Sequence, residues 1–425
     1  MTQDMQQYKG WVRTGLLVGA VALLASWAWQ PDWGFFGHRR INRLAVFTLP
    51  PDMMPLYKKH LEYVTDHAVD PDKRRYASPY EAVRHYIDID HWGEYPFTEV
   101  PRYRTDAILK YADVYGIWEA TGDTVQIFGL ELQERDDRGF SVTSDGVARA
   151  FGQPTLTFPY WKYRTFFGDK VLPLYYEEEW RLPGTLLDSL YLPEPVTDYP
   201  DYLIIEDQFS EYGILPYHLV YMQSRLRRAF EAGDPEQVLR LSADFGHYIG
   251  DAHVPLHTTV NYNGQLTDQK GIHAFWESRL PEIYADATYD YFVGKAEYIE
   301  DPTEYYWDIV LESHSYLDSV LLIEKDLSRK IPKDQQYCYE ERNGRTVRQP
   351  CLPYAAAYHA RLDGMIEARM RAAILAVGSA WYTAWVDAGQ PDMRRLGIIE
   401  EMPKQVAADS IPLLPSPPGG REHDF

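Results

Sequence analysis

The stretch Phe245–Leu280, FGHYIGDAHVPLHTTVNYNGQLTDQKGIHAFWESRL, decides how the rest of the chain reads. His247 and Asp251 stand four apart, and so do His273 and Glu277. In a helix that spacing stacks two side chains on one face, one turn apart. His257 follows the first pair in a Pro-containing turn. A single His-x-x-x-Asp pair on an apolar helix more often marks a hydrogen-bonded core histidine than a ligand. Two such pairs with a third histidine between them reverse that weighing and read as a metal site. Imidazole with carboxylate suits zinc, a borderline cation that accepts mixed nitrogen and oxygen donors.

Helical signals surround this stretch. Asp234-Pro235-Glu236-Gln237 places an N-cap Asp, Pro at the first position and Gln at the third, and predicts a helix to about Asp251. Gly271–Leu280 reads as a short helix stopped by Pro281. Asp301-Pro302 opens another, to about Ser328, and a long helix is expected over Tyr354–Val386. Upstream, His38, Ile41, Leu44 and Ala45 recur at helical spacing before Leu49-Pro50-Pro51. Asp52 is the expected cap of a helix to about Thr65, and a short helix is expected to carry Glu81 and His85. Between 101 and 200 the segments TVQIFGLEL, PTLTFPYWKY and KVLPLYYEEEW are rich in β-branched and aromatic residues. The expected fold class is therefore mainly α. Helical core segments at 33–100 and 201–400 flank a partly β insertion at 101–200, and the Pro- and Gly-rich tail 401–425 reads as disordered.

The 425 residues are 45% hydrophobic, enough for a large core. A net charge of −21 leaves no basic footprint, so stable binding of duplex DNA is not expected. A zinc cluster still attracts phosphate locally, which keeps phosphodiester chemistry open. Lys9 and Arg13 precede the apolar run Leu16–Trp29, short for a membrane span. Residues 1–32 thus read as a secretory signal or, alternatively, as an uncleaved anchor giving membrane association, and either predicts an exported protein. Cys338 and Cys351 flank YEERNGRTVRQP with Asn343-Gly344 as a turn signal. A disulfide closing that hairpin fits an oxidising compartment, and two unpaired buried thiols are the alternative.

With these residues in view, the chain resembles the zinc-dependent phospholipase C and single-strand-specific zinc nuclease superfamily. The likeness lies in Trp33–His91 and Asp234–Leu280, in the order of the ligands and in their spacings. It implies a multi-helix fold holding two to three Zn2+ per chain and cutting phosphodiester bonds with a metal-bound hydroxide. Carried over by position, it implies Asp70, His85, His247 and Asp251 on a first zinc, and His257, His273 and Glu277 on a second. His38 and the backbone of Trp33 would take a third, which Asp251 bridges to the first. Asp70 and Lys73 are the candidate catalytic residues, Lys73 as a cation beside the scissile phosphate; a solvated surface charge is the plainer reading of Lys73. In the family that Trp is the mature N-terminus, whereas cleavage after Asp32 departs from the ordinary signal-peptidase pattern.

The substrate evidence points two ways. The Trp33–His38 and Asp70–His85 spacings, Lys73, His253 and the Asn-Gly loop resemble the nucleases, whereas Glu277 resembles the phospholipases. The balance leans to single-stranded nucleic acid or nucleotides, with phospholipid headgroups next. A zinc-stabilised structural or binding protein is the reading from another class, and the lack of cysteine among the ligands argues against it. Asp88, Asp90 and Asp244 are candidates for orienting the ligand imidazoles.

Overall fold

In α1 (Phe35–Ala45), His38, Ile41, Asn42 and Ala45 lie on one inward face, as their spacing requires. This computed structural model describes residues 35–75, 78–136, 139–171, 181–190, 195–342 and 345–396. α2 (Leu61–Asp66) and the short α3 (Asp70–Arg75) follow. After the insertion come α4 (Leu215–Ala232), α5 (Pro235–Ala252) and α6 (Leu280–Thr288). Then come α7 (Pro302–Ser315), α8 (Leu317–Lys330), α9 (Leu352–Arg361) and α10 (Met365–Asp387), with single turns at Lys333–Gln336 and Met393–Leu396. The fold is mainly α.

One apolar core joins α1, α4, α5 and α10 through Ala45, Leu219, Phe245, Ile249, Val377 and Trp381. Within it Trp381 stacks on Tyr57, and its indole N–H donates to the Ser242 carbonyl. α5 starts as its sequence signals, with the Asp234 side chain accepting from the Gln237 amide at 3.0 Å. Its C-terminal half, Phe245 to Ala252, is buried on every side, the signature of a central helix.

Glycine makes that possible. A Cβ at Gly246 would overlap the Asn42 side-chain amide, and one at Gly250 would lie 2.8 Å from His38 Nδ1. The two glycines, four apart on one face of α5, let α1 approach at backbone range. Asn42 uses the approach to donate to the carbonyls of Ala243 and Val64.

The insertion builds its own apolar core and runs past residue 200, with Val114, Ile127, Phe140, Phe158, Tyr163 and Leu203 among its members. Strands β1 (Asp113–Trp118), β2 (Asp123–Phe128), β3 (Gln133–Asp136), β4 (Gly139–Thr143), β5 (Thr155–Phe158), β6 (Arg181–Pro183) and β7 (Tyr202–Glu206) form two antiparallel sheets. Their orders are β2-β1-β7-β6 and β3-β4-β5. Along β1, Val114, Gly116 and Trp118 are buried while their neighbours are half-buried, the alternation of a sheet with one covered face. PTLTFPYWKY is strand only to Phe158; Tyr160–Phe166 is helical. Most of KVLPLYYEEEW lies outside the described residues.

Several expected helices are broken, each at an identifiable place. Met53, not Asp52, precedes the helix Met54–Lys59, and His60 separates it from α2. The helix Pro79–Ala82 ends before His85. Tyr316 divides α7 from α8. Asp363 and Gly364, both at positive φ, divide α9 from α10. Pro281 does not stop its helix. The chain runs from Ile272 through a π-turn, Phe275–Arg279, directly into α6. A proline clashes with the carbonyl four residues back, here that of Glu277, and the wider π-turn relieves the clash.

Strands β8 (Tyr337–Arg342) and β9 (Arg345–Pro350) pair antiparallel, and Cys338 is disulfide-bonded to Cys351. The thiols are therefore not unpaired; the turn expected at Asn343-Gly344 lies outside the described residues, as do 1–34 and 397–425. The bond is compatible with an exported protein. Among the described residues no helix is long and apolar enough to cross a membrane.

Candidate metal centre

Three elements carry the donors on one side. α1 contributes His38, α5 contributes His247 and Asp251, and the chain just after Pro79–Ala82 contributes His85. His38 Nε2 lies 3.3 Å from Asp251 Oδ1, and His85 Nδ1 lies 2.9 Å from Asp251 Oδ2. His247 Nε2 is 3.3 Å from the same Oδ2 and 3.1 Å from His85 Nδ1. On the other side a 3-10 turn, Pro255–Thr258, brings His257, and the π-turn region brings His273 and Glu277. Glu277 Oε2 lies 2.7 Å from His273 Nε2 and 3.4 Å from His257 Nε2. Its other oxygen lies 3.3 Å from His38 Nε2, so the two sides meet.

Among the described residues three groups of donors could hold a metal ion: His38, His247 and Asp251; Asp72, His85 and His247; and His257, His273 and Glu277. Asp70, expected as a ligand, is not among them. Its carboxylate pairs with His67 and with Lys73, whose Nζ is 3.1 Å away. Asp72 stands in its place, 3.8 Å from His247 Nε2 and 4.0 Å from His85 Nδ1. Two residues apart on a helix face opposite ways, so only one of these aspartates can turn to the cluster. DPDKRR repeats the acid–base pattern at i,i+3, with Asp70–Lys73 and then Asp72–Arg75, and spacing alone does not choose between them. Trp33 lies outside the described residues.

The ring nitrogens facing away from the cluster explain the donor set. His247 Nδ1 bonds the Ala68 carbonyl at 2.9 Å, His257 Nδ1 that of His85 at 2.6 Å, and His273 Nδ1 that of Tyr262 at 3.1 Å. A carbonyl only accepts, so each Nδ1 carries a proton, and a ring with no second proton turns a lone pair, at Nε2, toward carboxylate oxygen. Lone pairs facing lone pairs at 2.7–3.4 Å repel unless a cation or a proton lies between them. Burial holds the His85 and His247 rings below the ordinary imidazole range, which favours the neutral form that ligates metal. The residues present therefore fit bound cations.

The carboxylates differ. Burial pushes Asp251 up to about 8 in the metal-free chain, the imidazoles of His257 and His38 opposing it. Burial acts on Glu277 in the same sense, but hydrogen bonds from His257, His273 and His38 prevail and hold it well below the ordinary range.

Asp90 and Asp244 serve the frame. Asp90 accepts from the Thr259 hydroxyl and the Val260 amide, fastening the chain after His257 rather than orienting an imidazole. The Asp88 amide donates to the Tyr212 carbonyl. Asp244 pairs with Arg74 at 3.0 Å. His253 bonds the Ile249 carbonyl through Nδ1, and burial, then Arg369, push it down to about 3. The carbonyl anchors at Ala68, His85 and Tyr262 leave no trace in sequence, since any residue carries one. The GHYIG spacing of Gly246 and Gly250 was the available signal for the close α1–α5 packing. No family model matches the chain, and no curated protein matches it.

Proposed function

We propose that the protein is a zinc-dependent hydrolase of phosphodiester bonds, acting on single-stranded nucleic acid or nucleotides. One observation carries the reading: imidazoles whose Nδ1 atoms are anchored on backbone carbonyls turn Nε2 toward Asp251 and Glu277 in adjoining groups. Donors limited to nitrogen and oxygen, with both cysteines committed to a disulfide, suit zinc in a working rather than a closed structural site. Zinc, when bound, lowers the pKa of water toward about 7 and offsets phosphate charge. The chain's own part is to fix the donors. Asp251 lies between His38 and His85, and Glu277 between His38 and the His257–His273 pair. Lys73 pairs with Asp70 on the face of α3 turned away from Asp72 and the cluster.

Phospholipase C activity is the second reading, favoured by Glu277 in place of aspartate. The test offers single-stranded DNA and phosphatidylcholine side by side to the zinc-loaded full chain, with a chelator control and zinc counted per chain. Chelator-sensitive cleavage of DNA is the expected result. Release of phosphocholine alone would move the assignment to the lipase reading. Bound zinc with neither substrate cut would favour a structural role, and a chain that binds no zinc would end the proposal.

A further inference from the structure

The hairpin closed by Cys338–Cys351 has no part in the reaction proposed above, yet it reaches the cluster through one side chain. Arg279 lies two residues after Glu277, in the same π-turn, and its side chain is 4% exposed. Its guanidinium donates to Glu340 of β8. Glu340 and Cys338 sit at i and i+2 of that strand and so share a face. Cys351, the other end of the disulfide, is buried at the start of α9, whose Tyr354, Ala355 and Tyr358 share an apolar cluster with Phe275, Trp276 and Leu280. Its amide bonds the Gln336 carbonyl, while the Gln336 side chain bonds the carbonyls of Ser328 and Ile331 at the end of α8. The hairpin is thus fixed to the end of α8 at its base, to the start of α9 at Cys351, and to the π-turn through Glu340.

A π-turn before a proline is a soft frame for a ligand, since it carries poorer hydrogen bonding than an α-helix. A buried guanidinium has a strong demand for its counter-charge, and supplying that charge from outside the turn fixes where the turn sits. We propose that Glu340 and Arg279 are positioning residues for Glu277, and that the Cys338–Cys351 hairpin is a clasp completing the His257–His273–Glu277 metal group. The inference rests on reading that group as a metal site. The hairpin meets the π-turn that carries Glu277, so its effect falls first on the His257–His273–Glu277 group. The exported chain would then gain its full metal complement only once the disulfide has formed.

The test measures zinc per chain and the affinity of each site by titration of the full chain, with Co2+ absorption as the reporter of coordination. Glu340→Gln is expected to weaken one metal by about 10–100-fold, the range for loss of an outer partner, and to leave the other metal or metals unchanged. Glu340→Asp should recover part of that affinity. Cys338→Ser with Cys351→Ser should weaken the same metal. Arg279→Met with Glu340→Met removes the buried pair without stranding a charge and separates positioning from folding. Near-normal thermal stability with the same weakened metal supports the clasp. Return of full affinity together with stability would overturn it, as would unaltered affinity in Glu340→Gln. A parent chain that binds no metal would overturn both this inference and the proposed function; a chain that binds metal but cuts neither substrate leaves this result readable.

Discussion

The two sides of the candidate metal centre are built differently. His38, His247 and Asp251 project from α1 and α5, which pack at glycine range inside the largest apolar core. His257, His273 and Glu277 come from a 3-10 turn, a single helical turn and a π-turn, braced by the loop after His257 and by the hairpin. Geometry on the first side follows from helix packing, which is stiff because the interior is close-packed. On the second it follows from discrete polar contacts, each removable by one substitution. The centre should therefore fail in two ways, as a unit on the helical side and stepwise on the loop side.

The largest expected effect tests that contrast directly. His247 belongs to two of the three donor groups, His273 to one. His247→Ala should remove metal from the helical side and lower phosphodiester turnover by at least about 100-fold, since losing even an outer partner costs 10–100-fold. His273→Ala should leave metal bound on the helical side. Equal metal loss in the two variants, by zinc count, would erase the distinction.

A second pair of variants sharpens the edge of the helical side. Asp72→Asn should weaken metal binding by about 100-fold, with Asp70→Asn changing it by only a few-fold. The reverse order, read by zinc titration, would return the ligand role to Asp70.

Stability against pH gives a smaller effect. Asp251 titrates near 8 in the metal-free folded chain and near 3.9 when unfolded, so between those values the folded state holds a proton that the unfolded state lacks. Stability then falls as pH rises through that window. His85 and His247, depressed by burial, act oppositely and only below about 6.5. From about 6.5 to 8 the Asp251 slope stands clear of them, and the metal-free protein should lose up to about 2 kcal/mol there by urea denaturation. Asp251→Asn should flatten that loss while weakening metal binding on the helical side.

The smallest effect isolates the frame. Asp234→Ala removes the cap of α5 far from the cluster and should cost about 1 kcal/mol with metal stoichiometry unchanged. A change in zinc count would mean that the helical side is less stiff than its packing implies.

Much of this arrangement was legible beforehand. The i,i+4 pairs placed His247 with Asp251 and His273 with Glu277, and the cap signals at Asp234 and Asp301 marked two helix starts. Breaks inside helices were not legible. Tyr316 carries no breaking signal, and Pro281 carries a strong one that the π-turn absorbs. In the insertion the β-rich composition foretold strands, but not that Tyr160–Phe166 would be helical beside them.

Sequence by itself determined the chemistry of the donors and their pairing within one turn of helix, because that spacing is local and nearly invariant. Tertiary structure decided which aspartate joins His85, which carbonyls hold the imidazole protons, and that Glu340 reaches Arg279. Those contacts join residues far apart in the chain, and the relative placement of packed elements, rather than any local preference, sets them.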